Sequence, residues 1–181
     1  FTSDRVDVTF RNGRMEDADI IARQVIPMQM LVCCSPAYKQ EHGLPTAIED
    51  LTTHECIDFC TGAGRPVDWE FEVDGKPRKV LPRAKLSFND PELVLQAVLD
   101  GQGIAQMAGY LAREPLRSGA LIQCLMQYAP EDRGHYICYL SRQHMPTRMR
   151  VFIDFMTARI RAGDLKNPAD FDLVREKARA A

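Results

Sequence analysis

Residues 85–107 read as a strand, a helix and a second strand in immediate succession, and this unit does more than any other to dictate what the chain can fold into. Lys85 to Phe88 is strand-like. In Asn89-Asp90-Pro91-Glu92, Asp90 can cap a helix and Pro91 can take its first position, where a missing N–H costs nothing. The helix is expected to run to Asp100 with Leu95, Val98 and Leu99 as its apolar stripe. Gly101 suits a left-handed C-cap, and Gly103 to Met107 a short buried strand. A crossover of this length predicts a parallel βαβ unit.

The flanking sequence repeats the alternation. Val6, Val8 and Phe10 alternate with polar residues up to a turn at Arg11-Asn12-Gly13. Two β-rich runs, Ile20 to Val25 and Met28 to Cys34, break at Pro27. Ser35-Pro36 opens a short helix through His42 that Gly43 closes. Thr46 to Leu51 reads as a further turn or two, with Thr46 as N-cap and Glu49 as its capping-box partner, and Cys56 to Cys60 as a buried strand. Trp69 to Val73 alternates into Asp74-Gly75, a hairpin signal, with the partner strand around Arg78 to Leu81. A helix from Tyr110 to Leu116 ends at Ser118-Gly119, and Leu121 to Leu125 and His135 to Ser141 are strands. Pro146-Thr147 starts a last helix, with Met149, Phe152, Ile153, Met156 and Ile160 on one side, Arg148, Arg150, Arg159 and Arg161 on the other, and Gly163 as its stop. Beyond Asp164 the chain is polar, and Ala169 to Ala181 is a short charged helix or a frayed end. The sum is an α/β chain, mainly parallel apart from one hairpin, with two small sheets preferred over one.

Composition narrows the function. A net charge of −2 over 181 residues argues against a large phosphate-binding face, so any DNA-binding part of the protein is expected elsewhere. Phe1 in place of an initiating Met marks the sequence as a fragment. No apolar run approaches the ~18 to 20 residues of a membrane helix. The six cysteines lack the spacing of a secreted disulfide scaffold, which fits a reducing cytoplasm.

Four segments in order, Asp7-Val-Thr-Phe-Arg-Asn-Gly13, Leu31-Val-Cys-Cys-Ser-Pro-Ala-Tyr38, Leu93 to Ala105 with its Gly101-Gln-Gly-Ile-Ala105 ending, and Arg150-Val-Phe-Ile-Asp-Phe155, carry a resemblance to the effector-binding domain of LysR-type transcriptional regulators. The resemblance implies a type II periplasmic-binding-protein fold of two α/β lobes, joined by two crossing strands, with a small-molecule effector in the cleft between them. The first lobe would hold residues 1–35 and 137–163, the second 36–136, with 164–181 as an extension. It further implies a homodimer or homotetramer, and DNA binding through an N-terminal winged helix-turn-helix that these residues do not include. The first strand-helix-strand of the first lobe is also absent.

Ligands of such lobes meet the carboxyl ends of strands and the helix N-termini beyond them. The residues so placed are Arg11, Asn12, Thr61, Gly62, Phe88, Asn89 and Asp90. Arg11 reads equally as a surface arginine paired with a carboxylate. Asp90 is explained by capping alone; facing a ligand, it would favour a hydroxyl or amine over a carboxylate unless Arg11 or Arg65 balanced it. Cys56 and Cys60, four residues apart on one strand, lie roughly 13 Å apart, too far for a disulfide without refolding. The bland reading of the cysteines is small hydrophobes, with a redox sensor as the alternative. His54, Cys56 and Cys60 match no zinc spacing, and His135 reads as structural. No Ser-His-Asp set, carboxylate pair or phosphate loop stands out, so neither catalysis nor a cofactor is expected. The rivals are a solute-binding protein of the same fold and an enzyme on that scaffold.

Overall fold

A computed structural model describes residues 6–12, 20–130, 134–140 and 145–162. In chain order the strands are β1 (Val8–Asn12), β2 (Ile20–Pro27), β3 (Met30–Cys34), β4 (Cys56–Phe59), β5 (Trp69–Val73), β6 (Lys76–Val80), β7 (Ala84–Phe88), β8 (Ala105–Ala108), β9 (Ile122–Cys124) and β10 (Gly134–Leu140). The helices are α1 (Pro36–His42), α2 (Pro91–Leu99), α3 (Gly109–Ser118) and α4 (Thr147–Ala162), with 3-10 turns at Ile48–Thr52 and Met126–Tyr128. The chain divides after Met28 and again after Glu131 into two compact units. The Gly13 turn, Ser141, Arg161's side chain, Gly163 and the expected helix at 169–181 lie outside the described residues.

In the outer unit β10 lies between β1 and β2, antiparallel to both. Val25, Ile137, Tyr139, Met149 and Ile153 form its core, so α4 contributes Met149 and Ile153. Phe152 does not join them. It is 40% exposed, and Thr157 is buried instead, its hydroxyl donating to the Ile153 carbonyl at 2.7 Å. The inward face thus runs through 149, 153 and 157, a strict i+4 series, and Phe152 stands beside it.

In the inner unit β3 runs between β8 and β9, antiparallel to both, while β4 and β7 are parallel. A parallel bridge from Cys56 to Ile104, with Ile57 N–H donating to Ile104 O and Ile104 N–H to Glu55 O, both at 2.8 Å, links the two sheets. The expected crossover is therefore present in split form: β7 and β8 run the same way with β4 between them. The sheets are nevertheless not mainly parallel, since five of the six ladders among the described residues are antiparallel. The reason is that β3 and β10 each run against two neighbours, a long-range pairing that local periodicity does not encode.

Two cores cover the faces of this inner sheet. One gathers Leu31, Ile57, Val94, Val98, Ala105, Met107 and Ala112 on the side of α2 and α3. The other gathers Val32, Tyr38, Cys56, Trp69, Phe71 and Ile104 on the side of α1 and the β5–β6 hairpin. α2 buries Val94, Ala97 and Val98, leaving Leu95 and Leu99 at the margin, one position from the expected stripe. Asp74 (φ 52°) and Gly75 (φ 70°) make the hairpin a two-residue turn, so β6 begins at once, at Lys76 opposite Val73. At the first 3-10 turn the capping box differs from expectation. Asp50, not Glu49, accepts from Thr46 N–H and Oγ1 and from Ala47 N–H, while Glu49 pairs with Arg78 at 2.7 Å. A 3-10 turn beginning one residue later moves the reciprocal acid by the same step.

Candidate functional site

Because β4 and β7 are parallel, the loops that leave them emerge at the same sheet edge. Phe59 is in register with Phe88, and Cys60 N–H donates to Phe88 O at 2.7 Å. The chain then doubles back. Thr61 N–H donates to Arg65 O at 2.8 Å, Gly64 N–H to Thr61 O at 2.7 Å, and Val67 N–H to Phe59 O at 3.0 Å. The tight turn leaves Thr61 and Gly62 exposed, and no atom crowds the Cα of Gly62 within 4 Å of an added Cβ. Across the ladder, Asn89 is exposed and Asp90 caps α2 through Oδ1, which accepts from Glu92 N–H at 2.8 Å. Thus Thr61, Gly62, Phe88, Asn89 and Asp90 share one edge, and Phe88 is the half-buried floor of the five. Asp90 has one oxygen committed to its helix.

Arg11 and Asn12 belong to the other unit, at the end of β1, in register with Tyr136 and His135 of β10. Burial raises the pKa of the Cys138 thiol, and the charge of Arg11 opposes that rise. Burial also lowers the pKa of the His135 imidazole, which favours its neutral form.

Two polar residues that the sequence reading passed over sit inside the inner unit. Asp58, only 2% exposed, lies on β4 next to the candidate edge. Its carboxylate accepts from the Trp69 indole N–H, but Oδ1 has no hydrogen-bond partner, and burial raises its pKa. Gln106 of β8 is also buried. Its Oε1 accepts from Glu70 N–H at 2.9 Å and its Nε2 donates to Glu70 O at 2.8 Å, so one amide fastens the hairpin to the sheet. The signal for both was a lone polar residue in an otherwise apolar strand, Cys-Ile-Asp-Phe-Cys and Ile-Ala-Gln-Met.

The cysteines are all unbridged. Cys33, Cys34, Cys56, Cys124 and Cys138 are buried, and Cys60, beside Thr61, is partly exposed. Burial pushes the Cys34 thiol up to about 11 and that of Cys56 up to about 12. Thiols of this kind stay protonated and unreactive. Among the described residues no cluster of three or more His, Cys, Asp or Glu side chains could hold a metal ion, and no helix is long and apolar enough to cross a membrane.

The family profile of the LysR substrate binding domain matches residues 2–161. The probable HTH-type transcriptional regulator LtrA of Klebsiella pneumoniae is 28% identical over 90% of this chain and 53% of its own length. The HTH-type transcriptional regulator CrgA of Neisseria meningitidis is 31% identical over 84% of this chain and 50% of its own. The chain thus spans about half the length of these relatives. Among solved structures, the regulatory domain of AphB in Vibrio vulnificus superimposes with a TM-score of 0.68 at 27% identity, over 87% of this chain and 79% of that one. The CrgA regulatory domain gives a TM-score of 0.61 at 27% identity, over 86% of this chain and 76% of that one. Such domains have the type II periplasmic-binding-protein-like α/β fold, and the strand and helix content described above agrees with it. The chain belongs to the LysR substrate-binding-domain family and is an effector-binding regulatory domain of the LysR-type transcriptional regulators.

Proposed function

We propose that this domain takes a small-molecule effector on Thr61, Gly62, Phe88, Asn89 and Asp90 of the inner unit. The intact protein then passes the bound state to DNA through a separate winged helix-turn-helix as a homodimer or homotetramer in the cytoplasm. The observation that carries the reading is the convergence of these five residues at the carboxyl ends of parallel β4 and β7, ahead of a capped helix. Exposed Thr61 and Asn89 offer hydrogen bonds, Phe88 offers an apolar surface, and Asp90 selects against a carboxylate near the helix end. An effector shifts a regulator between two states only by binding one of them better, typically by about 1 to 3 kcal/mol.

The test is a thermal-shift screen of the complete effector domain against aromatic acids, amino acids, amines, sugars and peroxide. A saturable rise in melting temperature with one chemical class, lost in both Thr61→Ala and Asn89→Ala, supports the site. A rise that both variants retain places the ligand elsewhere. A response to peroxide alone, abolished by Cys→Ser changes, replaces effector binding with thiol chemistry.

A further inference from the structure

Tyr38 is 2% exposed, and its hydroxyl stands at a junction of α1 with the approach to β4. The Glu55 N–H donates to it at 3.0 Å, and the His54 Nδ1 lies 3.1 Å away. A hydroxyl that accepts from the amide is free to donate its one proton to Nδ1. That arrangement suits the neutral His54 tautomer with its hydrogen on Nε2. We propose that Tyr38, His54 and the Glu55 amide form a proton-operated latch, which fastens α1 to the start of β4 while His54 is neutral and loosens when the imidazole gains a second proton.

The chemistry of the junction requires this. Protonated His54 presents N–H, not a lone pair, to the hydroxyl. Tyr38 must then either accept twice and leave its own proton unpaired in a buried site, or lose the ring altogether. The surroundings are mixed. His42 of α1 packs against Tyr38, with ring centroids 4.5 Å apart, and its charge works against a second charge on His54. Asp50 of the 3-10 turn opposes it, and Glu55 and the thiols of Cys34 and Cys56 complete the ionisable groups around the phenol. Burial is the largest influence and lowers the pKa of His54, ahead of the rise from Asp50 and the fall from His42. The unfolded chain therefore binds the proton more readily, and stability falls as the medium is acidified through the ordinary histidine range.

Two measurements on this chain decide the matter. The nitrogen resonances of His54 at neutral pH are expected to show an unprotonated Nδ1 and a protonated Nε2. Hydrogen exchange of the Glu55 amide, corrected for intrinsic rate, is expected to lose about tenfold in protection between about pH 7.5 and about pH 5, the equivalent of one hydrogen bond. In His54→Gln, whose amide oxygen accepts from Tyr38 without titrating, protection is expected to stay level. A protonated Nδ1 at neutral pH, wild-type protection that does not change, or an equal loss in His54→Gln overturns the latch. Should the variant fail to fold, the wild-type resonances and exchange decide alone.

Discussion

Gly103→Ala tests the packing of β4 against the residues that lead into β8. Gly103 is buried, and a Cβ built on it would lie 2.3 Å from Glu55 O and 3.1 Å from Ile57 Cγ1. The first contact is about 1 Å shorter than an ordinary one and meets backbone, which cannot swing aside as a side chain could. The strands have to part, and the two bonds of the bridge, Ile57 N–H to Ile104 O and Ile104 N–H to Glu55 O, both 2.8 Å, lengthen together. Two weakened hydrogen bonds at about 1 kcal/mol each, added to about 1 to 3 kcal/mol of overpacking, give about 3 to 5 kcal/mol. Less backbone freedom in the unfolded alanine chain returns about 0.4 to 1 kcal/mol. The expected net loss is about 2 to 4.6 kcal/mol, read from urea unfolding and from faster exchange of the Ile57 and Ile104 amides. Gly62→Ala, with nothing within 4 Å of its Cβ, is the near-neutral control. A Gly103→Ala protein within about 0.5 kcal/mol of wild type refutes the reasoning.

Gln106→Leu removes both side-chain bonds to Glu70 and is expected to cost about 2 kcal/mol, with early loss of amide protection in β5 and β6; unchanged hairpin protection counts against the fastening role. Asp58→Asn is expected to stabilise the domain at neutral pH. The raised carboxyl pKa means that the folded state favours the protonated acid, so the wild type loses stability as pH rises from the ordinary aspartate value through the folded one, and the amide does not. Thermal melts at about pH 4 and about pH 7 check this through a gain confined to the higher pH. A thiol reagent is expected to label Cys60 first, with the five buried cysteines reacting only on unfolding, and Cys60→Ser is expected to remove the fast phase seen by mass spectrometry.

What could be read from the sequence was what neighbours in the chain decide. Ser35-Pro36, Asp90-Pro91, Asp74-Gly75 and Gly119 each set an element boundary through their own backbone geometry, and all four stand where they were read. Thr61, Gly62, Phe88, Asn89 and Asp90 could be picked because a strand end followed by a cap is itself a local pattern. The order of the strands was not legible. Thr9 pairs with Cys138 and Val32 with both Gln106 and Cys124, and no window along the sequence contains both partners. Asp58 and Gln106 escaped for a related reason. Both strands were read as buried, but the partners of their polar residues come from the β5–β6 hairpin, which no local pattern brings to that face. Phe152 misled in the opposite sense, since helical spacing alone does not say how wide the covered stripe is.

The placement of β10 between β1 and β2 bears on how the chain is made in the cell. A ribosome delivers β1 and β2 before β10, yet neither pairs with the other, and the strand that joins them follows roughly a hundred residues later. At about 5 to 20 residues per second that interval is about 5 to 20 s. Throughout it β1 and β2 lack β10 while the inner unit is synthesised and able to close on itself. A pause in translation between the codons for Met30 and Pro130 is expected to prolong that exposure and favour aggregation over assembly.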